Sequence, residues 1–280
     1  MSPSPRDRPV GEALRQRGAW AVVTGASDGI GRAFAVELAA NGVHLVLVAR
    51  RVERLQALAD ELAARHGVRA RVLALDLGAA TPQQALDALA AATADLDVGL
   101  LVAAAGYGSA GPLVTSNLDD ELDQLQVNAG AVLAQCWHFG RRFAARGRGG
   151  IVLLSSVLAF HGTPLSANYA ATKAYVQSLA EALRHELKPS GVDVIASAPG
   201  PVATGFAARA RMRMSRTTTP EVVARQTLMA LGRQGTVRPG GLSKLLGWSL
   251  ATAPRALRVA IMGRIMAGMA GMAEGRKPIG

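Results

Sequence analysis

The chain has a single cysteine, Cys136, and aromatic residues fill only 4% of its 280 positions. One thiol closes no internal disulfide and builds no cysteine-rich metal site, so no metal is expected and the cytoplasm is the expected compartment. With so few rings to stack on bases, the excess of Lys and Arg over Asp and Glu, 31 against 20 for a formal charge of +11, is not read as a nucleic-acid surface. No charge-free apolar run reaches the roughly 20 residues of a membrane-spanning helix. The opening MSPSPRDRPV has no apolar signal core either, so a soluble protein is expected. No repeat of solenoid or propeller period is present.

What is present is apolar material for a sizeable core, at half of all residues. Residues 1–17, with three prolines and no periodicity, read as a mobile leader. Then β-favouring runs (AWAVVTG 19–25, VHLVLVA 43–49, ARVLALD 70–76, VGLLVAAAG 98–106, GIVLLSS 150–156, VDVIASA 192–198) alternate with Ala- and Leu-rich stretches of helical period. The runs are apolar on both faces, as strands are when helices cover both sides of a parallel sheet. One α/β domain, a doubly wound parallel sheet of Rossmann type, is expected over 18–235. Beyond it, 236–280 reads as an apolar, basic helical extension carrying Lys244, Arg255, Arg258 and Arg264. Seven of the eight methionines lie past residue 205. Methionine makes adaptable apolar surface, which suits a wall for a greasy ligand, a cationic segment resting on a membrane through 241–272, or plain helix packing.

Thr24-Gly25-Ala26-Ser27-Asp28-Gly29-Ile30-Gly31 follows the first strand and opens a helical stretch. Gly25 permits the tight turn, Gly29 lets the backbone approach a pyrophosphate, and Gly31 allows close helix-to-strand packing. Amides at the helix start would face the phosphates.

The spacing TGxxxGxG resembles the nucleotide loop of the short-chain dehydrogenase/reductases, and the resemblance covers residues 19–232. An acidic residue some twenty positions past the glycines would hold a ribose 2′-hydroxyl; Ala49-Arg50-Arg51 stands there instead, and a guanidinium suits a 2′-phosphate. NADP(H) is therefore favoured over NAD(H), although Arg50 and Arg51 also suit the solvated start of a helix. The family often has a second basic residue in the loop; here that place is Ser27, which leaves the preference incomplete. Asp76, with Leu77 beside it, matches the family's adenine-binding aspartate, with helix capping as its rival.

Tyr169 and Lys173, four apart, share one face of a helix. A cation at about 4 Å, at an effective dielectric near 20, favours the phenolate by about 4 kcal/mol, or about three pK units. Such a pair, with an oxidised nicotinamide nearby, would bring the phenol into the range of general acid–base work. The resemblance gives Ser156, thirteen residues before Tyr169, the role of holding the substrate oxygen; its neighbour Ser155 is not chosen. It also makes Asn128 the fourth catalytic member, supporting a water relay behind the lysine, with an ordinary polar helix residue as the alternative. Pro199-Gly200-Pro201-Val202-Ala203-Thr204 resembles the PGxxxT turn that meets the nicotinamide end. One departure stands out: the family's NNAG is here Ala103-Ala104-Ala105-Gly106, which puts binding at the adenosine side, where Ala105 and Gly106 fall, in doubt.

The resemblance implies reduction of a carbonyl by hydride transfer with Tyr169 as proton donor. It is strongest to the branch of long-chain 3-ketoacyl-CoA reductases and 17β-hydroxysteroid dehydrogenases, hence to bulky apolar ketones and lipid metabolism. Arg209, Arg211, Arg213 and Arg216 fall where the family often has a mobile substrate loop; they suit the phosphates of a CoA substrate, or solvent. A homodimer or homotetramer is implied, with a dimer through the long helices 118–145 and 167–187 preferred because the family's usual final strand is absent. The alternative from another class is a sensor that binds NADPH without turnover.

Overall fold

The computed structural model describes residues 10–210, 212, 217–241 and 254–270. Seven parallel strands form one sheet in the order β3-β2-β1-β4-β5-β6-β7. They are β1 (Trp20–Thr24), β2 (His44–Ala49), β3 (Ala70–Ala74), β4 (Val98–Ala103), β5 (Gly149–Leu154), β6 (Val192–Ser197) and β7 (Thr236–Val237). The strand order reverses between β1 and β4, and in such sheets the crevice at the carboxyl ends beside that point is where ligands bind.

Helices cover both faces, as the two-sided apolar strands require. On one side Val23, Leu45 and Leu47 meet α2 (Gly29–Ala40), α3 (Val52–His66) and α9 (Pro220–Ala230). On the other, Val22, Val46 and Leu101 meet α4 (Pro82–Thr93), α6 (Ala131–Arg146) and α7 (Ala167–Leu187). Phe34, Phe139 and Phe143 are fully buried in these two layers.

The leader expected over 1–17 is corrected for its second half. Val10–Arg17 is a helix, α1, with Leu14 buried in the core and Arg17 paired with Asp193 at 2.5 Å. Its eight residues are rich in arginine, and only the fold supplies the apolar seat for Leu14. The boundary drawn at 235 is also corrected, because Thr236 and Val237 pair with Ala196 and Ser197 as the seventh strand. Two residues are too short to show a strand pattern in sequence.

The long helix expected over 118–145 is α5 (Leu118–Leu125) running into α6 through a π-helical turn, Gln126–Gly130. Such turns hold one extra residue and commonly mark functional sites. After a one-turn α8 (Phe206–Arg209) and α9, the last described element is α10 (Arg255–Met269). Arg211, Arg213, Arg216 and Lys244, with most of 241–253, lie outside the described residues. No helix among the described residues is long and apolar enough to cross a membrane.

Candidate active site

The turn after β1 is shaped by backbone geometry that only glycine adopts without strain. Gly25 and Gly29 have φ of 68° and 51°, and a Cβ at Gly31 would overlap the Gly25 carbonyl, its carbon only 2.6 Å away. Asp28 caps α2 by accepting from the Gly29 amide at 2.8 Å. Cations reach the loop from the start of α3: Arg51, the residue before the helix, donates to Ser27 Oγ at 3.0 Å and to Asp28 at 3.3 Å, with Arg54 at 3.4 Å from the same carboxylate. Arg50 sits 3.7 Å from Asp76. Asp76 Oδ1 accepts from the Gly78 amide, while Thr81 and Gln84 form the capping box of α4. Helix capping by Asp76 is thereby excluded.

At the end of β4 stand Ala104 and Ala105, where the resemblance noted above breaks. The Ala105 amide donates to Thr24 Oγ1 at 3.3 Å, and a Cβ on Gly25 would come within 2.9 Å of the Ala105 backbone. The glycine loop therefore rests directly on the backbone of 104–105.

Asn128 sits in the π-helical turn, fully buried, and clamps the next peptide. Its Oδ1 accepts from the Tyr107 amide at 3.0 Å, and its Nδ2 donates to the Tyr107 carbonyl at 2.8 Å and to Thr172 Oγ1 at 3.2 Å. Gly106 is squeezed between this amide and the lysine: a Cβ there would lie 2.9 Å from Asn128 Oδ1 and 3.4 Å from Lys173 Nζ.

Tyr169 and Lys173 lie one turn apart on α7, both buried. Ser156 caps a short 3₁₀ turn after β5, its Oγ accepting from the Leu158 amide at 3.2 Å, and lines the same cavity as the Tyr169 phenol. Ser155, the serine not chosen, instead donates to the Lys173 carbonyl at 3.3 Å. Burial pushes the Tyr169 phenol up to about 12, the neighbouring Ser156 hydroxyl opposing it, and burial pushes the Lys173 ammonium down to about 8. The expected lowering of the tyrosine by the lysine is absent from this arrangement. The lysine nitrogen is turned to the Leu154 carbonyl at 2.8 Å and stays 5.7 Å from the phenol ring centre.

One cavity of about 510 Å³ unites these parts. Its lining runs from Gly25, Ser27, Asp28, Gly29, Ile30 and Gly31, past Arg50, Asp76, Leu77, Ala105 and Gly106, to Ser156, Tyr169 and Lys173, then Pro199, Gly200, Val202 and Thr204. Thr24 and Asn128 stand behind it and brace the loops.

The profile of the short chain dehydrogenase family matches residues 19–215. The chain belongs to that family. Among its short-chain dehydrogenase relatives is a very-long-chain 3-oxoacyl-CoA reductase of Podospora anserina, 39% identical over 184 residues, or 64% of this chain and 53% of the relative. The matched stretch is thus about half that relative's own length. A solved 7β-hydroxysteroid dehydrogenase superposes with a TM-score of 0.80 at 28% identity, over 89% of this chain and 98% of that one. A short-chain dehydrogenase from Sphingobium yanoikuyae, solved in complex with NADPH, gives 0.73 at 29% identity, over 83% and 92%.

This short-chain dehydrogenase also lines its cavity with residues that the motifs do not reach. Phe206 of α8 lies with its ring 5.4 Å from Tyr169, and Met212 is buried nearby. Met262, Ile265, Met266 and Met269 of α10 complete the lining. Of the uses open to the C-terminal methionines, α10 is a wall of the cavity. Its seat is Pro164, 3.2 Å from where a Cβ on Gly263 would stand. The apolar character of this segment was legible; its address was not. Arg54 was missed too, although it sits one helical turn past Arg50.

Proposed function

We propose that this protein is an NADP(H)-dependent carbonyl reductase that converts a bulky or long-chain apolar ketone, of 3-oxoacyl or steroid-like kind, to a secondary alcohol. The observation that carries the reading is that the cavity lined by Ser156, Tyr169 and Lys173 is also lined by Met212, Met262, Met266 and Met269. The residues present fit a dinucleotide, because the glycine cradle has no room for side chains and the amides at the helix start would receive its phosphates. Arg50 and Arg51 would hold a 2′-phosphate, and Thr204, whose methyl lies 2.9 Å from where a Cβ on Gly29 would be, would close over the loop. When bound, the reduced nicotinamide supplies the hydride.

Tyr169 gives its phenolic proton to the carbonyl oxygen, and the Ser156 hydroxyl donates a hydrogen bond to the same oxygen as charge develops on it. A phenol held up to about 12 is fully protonated at neutral pH, which suits the reductive direction. Lys173 places a positive charge behind the tyrosine, and Asn128 keeps the wall around the lysine in place.

The test follows NADPH and NADH oxidation against ketones graded by length and bulk. Faster turnover with NADPH, rising with apolar bulk, is the expected result. Tight NADPH binding with no turnover on any ketone would overturn the reading in favour of a sensor. Reductive kcat/KM is expected to hold through neutral pH and to fall above about 8, where Lys173 loses its proton while the phenol keeps its own. In Lys173→Arg, whose charge persists, that limb should move to higher pH; an unmoved limb would assign it to another group.

The oligomer we propose is a homodimer. Leu118, Leu122 and Leu125 on α5 and Leu133 and Trp137 on α6 are exposed, as is Tyr175 on α7, an apolar face that a second copy would cover. Sedimentation of the wild type as a dimer and of Trp137→Glu as a monomer is expected; a monomeric wild type would end the idea. A cytoplasmic location accords with the single thiol, Cys136, which is buried and unpaired.

A further inference from the structure

We propose that Arg209 recognises an anionic group on the substrate, so that the ketone reduced here is an amphiphile, an apolar body bearing a carboxylate or a phosphate. The inference rests on the carbonyl-reductase reading above and deepens it. Among the described residues, the charged side chains lining the cavity are Asp28, Arg50, Arg51, Asp76, Lys173 and Arg209. Five of them are engaged. Arg51 lies 3.3 Å from Asp28, Arg50 lies 3.7 Å from Asp76, and Lys173 donates to the Leu154 carbonyl. Arg209 is exposed, has no carboxylate within 4.0 Å among the described residues, and lays its guanidinium over the face of Tyr107, 3.9 Å from the ring centre.

That platform is fixed at three points. The Tyr107 hydroxyl donates to Asp123 Oδ2 at 2.5 Å, and the Asn128 amide holds both the N–H and the carbonyl of the same residue. A guanidinium stacked on a held ring keeps its N–H edge directed outward, the geometry that binds a carboxylate or phosphate through two parallel bonds. The surroundings are apolar: Phe206 starts the single turn that Arg209 ends, and Met212 lies just beyond it. The same turn sets Phe206 against Tyr169, so the anion subsite and the carbonyl subsite are joined by one short helix. A neutral ketone would use the methionine wall and leave the guanidinium to water.

The test measures binding by calorimetry to the full chain saturated with NADPH. The probes are an oxododecanoic acid, its methyl ester, and dodecyl phosphate beside dodecanol. Wild type is expected to prefer the acid over the ester and the phosphate over the alcohol. Arg209→Gln should cut the preference for the physiological anion by about tenfold to a hundredfold, with part recovered in Arg209→Lys. Whichever pair loses more identifies carboxylate or phosphate. Equal affinity for charged and neutral probes in the wild type, or a preference that survives in Arg209→Gln, overturns the proposal. So does a loss of NADPH affinity with the preference intact, which would give Arg209 to the dinucleotide. Calorimetry needs no turnover, so the anion subsite is tested even if no ketone is reduced and the reductase reading fails.

Discussion

Tyr169→Phe is expected to lower kcat for ketone reduction by about a hundredfold to ten-thousandfold, the range over which a positioned proton donor acts. The substitution removes one oxygen and little else. The ring keeps its packing against Phe206 at 5.4 Å, and Lys173 keeps its bond to the Leu154 carbonyl, so folding and NADPH affinity should both hold. The phenol is buried, so bulk water cannot readily replace its proton in the variant. Initial rates with saturating NADPH, read beside a thermal melt, make the check. A variant that retains most of its rate would show that the proton comes from elsewhere and would remove Tyr169 from the mechanism.

The second large effect is expected at Gly31. An added Cβ there meets backbone, the Gly25 carbonyl, which has no flexible side chain to swing aside. Gly25 cannot retreat, because its own backbone already rests on Ala105. Gly31→Ala should therefore cost about 2 to 4 kcal/mol of stability, as overpacking of a tight site does, and weaken NADPH binding by tenfold or more. Gly67→Ala is the control. Gly67 has φ of 66° at the end of α3 with nothing within 4 Å, so its alanine variant meets backbone strain alone, about 1 kcal/mol, far from the cavity. Similar losses in the two variants would show that the crowding at Gly31 is relieved by local movement.

The sheet was legible because its strands carry apolar residues on both faces, a pattern that flanking helices make necessary. Six runs read from sequence became six strands; β7, two residues long, has no periodicity to read. The site was legible wherever its residues are contiguous, as in the glycine turn and the Tyr169–Lys173 offset. Those local rules fix which side of a helix a group occupies. They do not fix where a long side chain points, which is why Lys173 turns to Leu154 instead of to the phenol. Nor do they place residues joined only by the fold. Arg209 over Tyr107 and Met262 beside the cavity arise from elements about a hundred residues apart in sequence or more; the family resemblance pointed to the loop of Arg209, and composition alone to the methionines.

The helix α1 bears on how the molecule is made. Its Arg17 is held by Asp193 on β6, 176 residues later, and the Arg17 carbonyl accepts from Arg146 at the end of α6. These anchors do not exist until most of the chain has been synthesised. Arg15 of the same helix donates to the Asn41 carbonyl at 2.6 Å, only 26 residues on, so α1 has one seat available early in synthesis and a second only once β6 is made. Arg15 and Arg17 thus tie one short helix to parts of the chain made early and late in synthesis.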